Sequence, residues 1–227
     1  MSINQKKYKE ILDELGNKTK LVAVSKTKSV EDIMELYKLG QRNFGENYVQ
    51  ELVDKYDALP KDIQWNFIGH LQSNKVKYIA PFVALIHGVD SFKLLHEINK
   101  QAEKNSRNIN CLLQVHIAKE ETKFGLSEEE LKKLFSEVEE LEKIEHIKIS
   151  GLMGMASFTD DEEKVRSEFR YLRFLYDKYS TLNIQHSTFN ILSMGMSADY
   201  KIAVEEGSNM VRIGSLIFGE RNYKYPN

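Results

Sequence analysis

The sequence predicts a (β/α)8 barrel. Short apolar runs alternate with longer amphipathic stretches along the whole chain, which reads as parallel strands with helices outside them. Eight such near-uniform units fit into 227 residues, the economy of a closed barrel of about 200–250 residues. A doubly wound sheet shares the alternation, because periodicity does not fix strand order. In both architectures ligands sit at the carboxyl ends of the strands, so residues there are the candidates for chemistry. No Gly/Ser-rich or Pro-rich linker divides the chain, which has three prolines in all, and residues 1–227 are expected to form one domain.

Residues 4–15, within MSINQKKYKEILDEL, are charged and helix-like and form an extra helix before the first strand. The same charges exclude a signal peptide. The first strand is KLVAVSK (20–26), followed by a helix over 30–39. NFGEN (43–47) with a helix over 47–57 makes the second unit, WNFIG (65–69) with 73–80 the third, and ALIHGVD (84–90) with 91–104 the fourth. The fifth strand, NCLLQVHIA (110–118), leads to a helix over 127–142. That helix starts SEEE, a serine N-cap with acids in the first turn, and carries Leu131, Leu134, Phe135, Val138 and Leu141 at helical spacing. KISGLMGMA (148–156) precedes a helix over 160–179 that opens on Asp160 and aligns Val165, Phe169, Leu172 and Tyr176. NILSMGM (190–196) with a helix over 198–206, and a last strand MVRIGSLIFG (210–219) with no helix after it, complete the eight.

Lys+Arg 32 against Asp+Glu 34 gives a net charge of -2, which supplies no general attraction to nucleic acid or to membranes. No apolar run approaches the roughly 20 residues of a membrane helix. The single cysteine, Cys111, excludes an internal disulfide and fits a reducing cytoplasm, the expected location. It begins an apolar strand and reads as packing. The six histidines form no HxH or HExxH pair, so no metal site is expected.

Three features stand out at the strand ends. ILSMGMSAD puts Ser193, Gly195 and Ser197 where the seventh strand joins a helix, and RIGSLIFGE adds Gly214 and Ser215 from the neighbouring loop. Glycine lets backbone approach a ligand, hydroxyls donate hydrogen bonds, and helix N-termini favour anions. Barrels often bind phosphate at these two loops. Arg212 lies inside an apolar strand, two residues before Gly214, and an inward guanidinium needs an acceptor there. A buried acid such as Glu46 or Asp90 is one possible acceptor, a ligand the other. Lys26 shares a face with Val22 and Val24 by alternation, at the mouth of the barrel. Desolvation and nearby cations lower the pKa of such an amine and make it a nucleophile for a carbonyl; a lysine snorkelling to water is the plainer alternative. Lysine, phosphate cradle and inward arginine together describe a phosphorylated aldehyde held as a Schiff base, and pyridoxal 5′-phosphate (PLP) is that ligand.

The blocks AVSKTKS, GQRNFGENYVQE, WNFIGHLQSNK, ETKFGL, SMGMSAD and MVRIGSLIFGERNY resemble the motifs of the PLP homeostasis protein family, also called YggS/PROSC, from about residue 5 to 223. The resemblance implies a fold-type III PLP barrel like the N-terminal domain of alanine racemase. It implies that Lys26 binds PLP covalently and that Asn47, from GENY, lies beside the cofactor. Ser193, Gly195, Met196, Gly214 and Ser215 would surround the phosphate, and Arg212 would meet the pyridine nitrogen. Ser215 stands where the family usually has threonine, so the hydroxyl is retained. His116 stands where asparagine is more usual, and His70 at a position that varies.

Guanidinium is a donor only and stays charged, so an arginine on the ring nitrogen keeps that nitrogen unprotonated and the cofactor a weak electron sink. Alanine racemase adds a β domain and a tyrosine from its partner subunit, whereas this chain stops eight residues after Gly219. Tyr48 and Tyr200 read as packing rather than as the missing base. The expected role is therefore intracellular PLP homeostasis, buffering or delivering the cofactor without catalytic residues or turnover. A minimal PLP-dependent amino-acid racemase is the alternative. PLP-dependent apoenzymes are the expected partners, the chain is expected to be a monomer, and Lys28 and Lys123 are candidates to relay PLP near the mouth.

Overall fold

A computed structural model describes residues 3–118, 124–137, 141, 144–181 and 188–219. Its strands are β1 (Lys20–Val24), β2 (Asn43–Glu46), β3 (Gln64–Phe67), β4 (Leu85–Val89), β5 (Ile109–Gln114), β6 (Ile147–Met153), β7 (Ile191–Ser193) and β8 (Met210–Ile213). All pair in parallel in chain order, and β8 returns to β1 to close the barrel. Closure runs through Lys20–Ala23 of β1 beside Met210–Ile213 of β8. This excludes the doubly wound sheet, whose edge strands stay open.

The helices are α1 (Gln5–Leu15), α2 (Val30–Lys38), α3 (Val49–Ala58), α4 (Val76–Ile79) after a 3-10 turn at Ser73–Lys75, α5 (Phe92–Lys104), α6 (Glu128–Ser136), α7 (Glu162–Ser180), α8 (Tyr200–Glu205) and α9 (Ser215–Phe218). Ser127 and Glu130 form a full capping box at α6, which satisfies two of the N–H groups a helix start leaves without partners. The cap of α7 is Asp161, one residue beyond the predicted start. Leu141 is helical, while Val138 lies outside the described residues. Among the described residues no helix is long and apolar enough to cross a membrane.

Most strands end earlier than their apolar runs. Val115, Ile117 and Ala118 are buried beyond the end of β5, because the loop there packs down as closely as the strand does. The largest correction is at the end of the chain. Residues 215–218, predicted as strand, form α9, whose N-cap Gly214 leaves the strand conformation at φ -122°, ψ -70°.

Alternation sorts the strand residues into two cores. Leu21, Ala23, Phe44, Trp65, Phe67 and Ile86 face outward and pack with the helices. Val22, Leu85, Leu112, Met153 and Met210 form a separate buried cluster inside the barrel. Two residues further along β4, β5 and β8 come the buried polar side chains of His87, Gln114 and Arg212, while β1 and the end of β6 continue with Val24 and Met155.

Candidate functional site

The expected site residues fall on four consecutive strands in barrel order, β7, β8, β1 and β2. Lys26 follows β1 by two residues. It stands in a turn closed by the Lys28 N–H donating to the Ser25 carbonyl at 3.0 Å, and it is half-buried. Val24 brings the end of β1 against Gly214, where an added Cβ would lie 3.0 Å from the Val24 carbonyl oxygen. On the other side the Ser25 N–H donates to Gly45 of β2 at 3.0 Å, and Asn47 follows β2 directly. The Oδ1 of Asn47 is buried and has no hydrogen-bond partner among the described residues, as is also true of the Thr27 hydroxyl.

Arg212 points into the barrel one layer above Met210, as alternation predicts. Its Nη1 donates to the Ser193 carbonyl at 3.0 Å and the Ser193 hydroxyl at 2.7 Å, and its Nη2 donates to the Gly154 carbonyl at 3.1 Å. Burial pulls this guanidinium down to about 10, against the field of Asp199, so it stays charged near neutrality. The Ser193 hydroxyl also meets His87 Nδ1 at 3.2 Å, and His87 Nε2 meets Asn66 Oδ1 at 3.1 Å. The Asn66 amide donates to the carbonyls of Phe44 and Gln64, which leaves its oxygen to accept. His87 therefore carries its proton on Nε2 and accepts from Ser193 through Nδ1. Burial, and then the Arg212 charge, hold its pKa well below the ordinary histidine value, so the ring is neutral and the chain of donors runs one way from Arg212 to β3. Sequence reasoning missed His87 and Asn66. His87 is a lone polar residue in an apolar strand and Asn66 lies between Trp65 and Phe67, and only barrel closure puts them in line.

Ser193 thus belongs to the Arg212 layer, below the loops where it was expected. The two loops themselves do meet. Gly195 has φ +95°, and a Cβ there would come within 2.6 Å of the Ala203 Cβ. Its carbonyl accepts the Arg212 N–H at 3.0 Å. The Gly214 N–H donates to the Ser197 hydroxyl at 3.3 Å, and the Met196 N–H to Asp199 at 2.6 Å. Ser215, at the start of α9, is exposed beside them.

Neither acid considered for Arg212 reaches it. Gly45 faces inward against Val22, so Glu46 faces α3, where its Oε1 accepts from Lys55 at 2.7 Å and from the Ser25 hydroxyl at 2.6 Å. Asp90 pairs instead with His70 Nδ1 at 3.3 Å, and Phe124 stacks on that imidazole at 4.2 Å. Tyr200 donates to Glu14 of α1 at 2.5 Å, on the outside of the barrel, while Tyr48 is exposed after β2. The ammonium of Lys28 donates to the carbonyls of Phe218 and Gly219, tying the β1 turn to α9. Lys123 lies outside the described residues.

Comparison with known proteins gives a consistent picture. Residues 4–222 match the family described as alanine racemase, N-terminal domain. A pyridoxal phosphate homeostasis protein of Aquifex aeolicus is 44% identical over 211 residues, covering 91% of this chain and 89% of that one. The structure of PipY from Synechococcus elongatus, solved with PLP bound, is 31% identical with a TM-score of 0.84, over 94% of this chain and 99% of that one. Alanine racemase of Clostridium difficile shares the fold at 18% identity and a TM-score of 0.79, over 98% of this chain and 57% of that one. On the family match, the identity to curated relatives and the shared closed barrel, the chain belongs to the alanine racemase N-terminal domain family and, within it, to the pyridoxal phosphate homeostasis proteins.

Proposed function

We propose that this chain binds PLP at the mouth formed by β7, β8, β1 and β2, and holds it in the cytoplasm for release to PLP-dependent apoenzymes without turning over a substrate. The observation that carries the reading is the grouping of Lys26, Asn47, Arg212 and the 195–197 and 214–215 loops on four adjacent strand ends. The residues fit the cofactor. A buried Asn47 oxygen lacks a donor, and the described contacts of Arg212 use three of its five N–H groups, leaving two for an acceptor. A relative 31% identical over nearly the whole chain has been solved with PLP bound.

When bound, PLP supplies an aldehyde that condenses with a primary amine and a phosphate that accepts several hydrogen bonds. Lys26 is the amine for the aldehyde. The Gly195–Ser197 and Gly214–Ser215 loops offer small residues and a hydroxyl to the phosphate. Met196 lines the same loop, with its own N–H already given to Asp199. Arg212, fixed by Ser193 and Gly154, presents a donor-only charge to the ring nitrogen and cannot protonate it. That arrangement favours holding the cofactor over using it, because electron withdrawal through the ring stays weak.

The purified protein with PLP is expected to be yellow, to lose its colour on borohydride reduction, and to carry the reduced adduct on Lys26 by peptide mass spectrometry. Lys26→Ala is expected to lose that adduct and keep weaker binding through the phosphate loops. Equal PLP affinity in Lys26→Ala overturns the assignment. Exchange of an amino acid's α-hydrogen with solvent deuterium is expected to be negligible, and sustained exchange with turnover would convert the reading to a racemase.

A further inference from the structure

Both residues that flank Lys26 are gripped by buried charges for which the reading above has no use. The ammonium of Lys55, on α3, donates to the Ser25 carbonyl at 2.7 Å, to Glu46 Oε1 at 2.7 Å and to Glu51 Oε1 at 2.7 Å. The Ser25 hydroxyl donates to Glu46 at 2.6 Å, and the Thr27 N–H donates to Glu51 at 2.6 Å. The side chains of Glu46, Lys55 and Glu51 are 0%, 7% and 13% exposed. Thus the carbonyl and hydroxyl before Lys26 and the amide after it all end on one charged cluster behind the barrel wall.

Thr27 needs such a hold. Its φ is +65°, in the left-handed region that glycine ordinarily occupies at the third position of a turn. A β-branched residue there is a strained outlier and persists only when its surroundings over-determine it. Apolar side chains would dock α3 on the barrel as well, and without the cost of burying three ionisable groups. What charges add is direction, because each bond fixes a particular atom of the turn. The cluster also joins the Lys26 turn to the β2–α3 junction that carries Asn47.

We propose that Glu46, Glu51 and Lys55 are positioning residues for Lys26, a clamp that holds its turn in the one conformation that aims the amine into the barrel mouth. The proposal rests on the reading of Lys26 as the cofactor lysine.

Two readouts test it on the full chain: PLP affinity by titration into cofactor-free protein, and deuterium uptake at the amides of residues 26–28 in the same cofactor-free protein. Glu51→Ala loses its hydrogen bonds to the Thr27 amide and the Lys55 ammonium; it is expected to bind PLP at least about tenfold more weakly and to exchange faster at residues 26–28. Glu51→Gln keeps an oxygen for the Thr27 amide and is expected to recover most of both losses; it also serves if Glu51→Ala fails to fold. Val53→Ala, on the same helix but away from the cluster, is expected to lower stability with PLP affinity at the wild-type value. Wild-type affinity and exchange in Glu51→Ala overturn the clamp, as does an equal loss of affinity in Val53→Ala. If Lys26→Ala binds PLP as tightly as wild type, the cofactor assignment falls, and the exchange of the cofactor-free variants still decides whether the clamp orders the turn.

Discussion

Glu46 shows how far one residue's chemistry depends on which way it faces. Alternation within NFGEN sends Gly45 inward and Glu46 outward, so a carboxyl considered as the acceptor for Arg212 becomes the partner of Lys55. Burial is the leading cause that pushes it up to about 7; Lys55 opposes the shift, and Glu51 adds to it. The groups facing it are Lys55 and Glu51 from α3 and the Ser25 hydroxyl from the end of β1. Between its ordinary pKa of 4.5 and about 7 the folded chain keeps a proton on Glu46 that the unfolded chain has released. Folding then takes up a proton, and this contribution to stability falls as pH rises through that window. Urea unfolding at about pH 5 and about pH 7.5 checks this, with Glu46→Gln expected to flatten the pH dependence relative to wild type. A steeper dependence in Glu46→Gln contradicts it. The inward alternation of Arg212 was legible in the sequence. The roles of Glu46 and His87 were not, because their partners come from other strands or from a helix whose depth no spacing reveals.

Elements were legible where local chemistry sets them. Ser127 with Glu130, and Ser29 and Ser91 ahead of α2 and α5, cap their helices through side-chain oxygens, and capping is written in residue type. Strand ends were not, since apolar residues pack equally well in a strand or in a loop folded onto it. Glycines decide some contacts between elements. Gly151, in β6, has φ +148°, and a Cβ built there would lie 1.8 Å from the Ile191 carbonyl oxygen of β7. Neither strand can yield without breaking the ladder that pairs Gly151–Met153 with Ile191–Ser193. Gly151→Ala is therefore expected to destabilise the fold by more than about 2 kcal/mol, read as a lowered denaturant midpoint. Because β7 carries Ser193, the same variant is expected to weaken PLP binding, and an unchanged midpoint would show that the two strands separate at little cost.

At the scale of the whole molecule, closure makes the barrel wall and its outer helices one packed body. α1 joins it by burying Tyr8, Ile11 and Leu15 and by accepting the Tyr200 hydroxyl on Glu14, while the Asn4 N–H donates to Ile217 of α9 at 2.8 Å. Cys111 lies in β5 with no exposure, and burial pushes its thiol pKa far up. A neutral, enclosed thiol reacts only after the structure opens. Labelling of Cys111 by a thiol reagent in native buffer is expected to proceed at the rate of global unfolding and to slow when PLP is bound. Rapid labelling of the folded protein would show that the β5 wall opens locally.

The sequence by itself determined the alternation of strands and helices, the Ser127 cap, the inward direction of Arg212, and the family. All of these rest on residue type and on spacing within one element. Tertiary structure alone decided that the sheet closes, that Ser193 serves Arg212 through a line of donors reaching Asn66, and that Lys55 grips the turn of Lys26. Each of these joins atoms from segments distant in the chain, and their meeting depends on how the strands are staggered around the barrel, which no local pattern encodes.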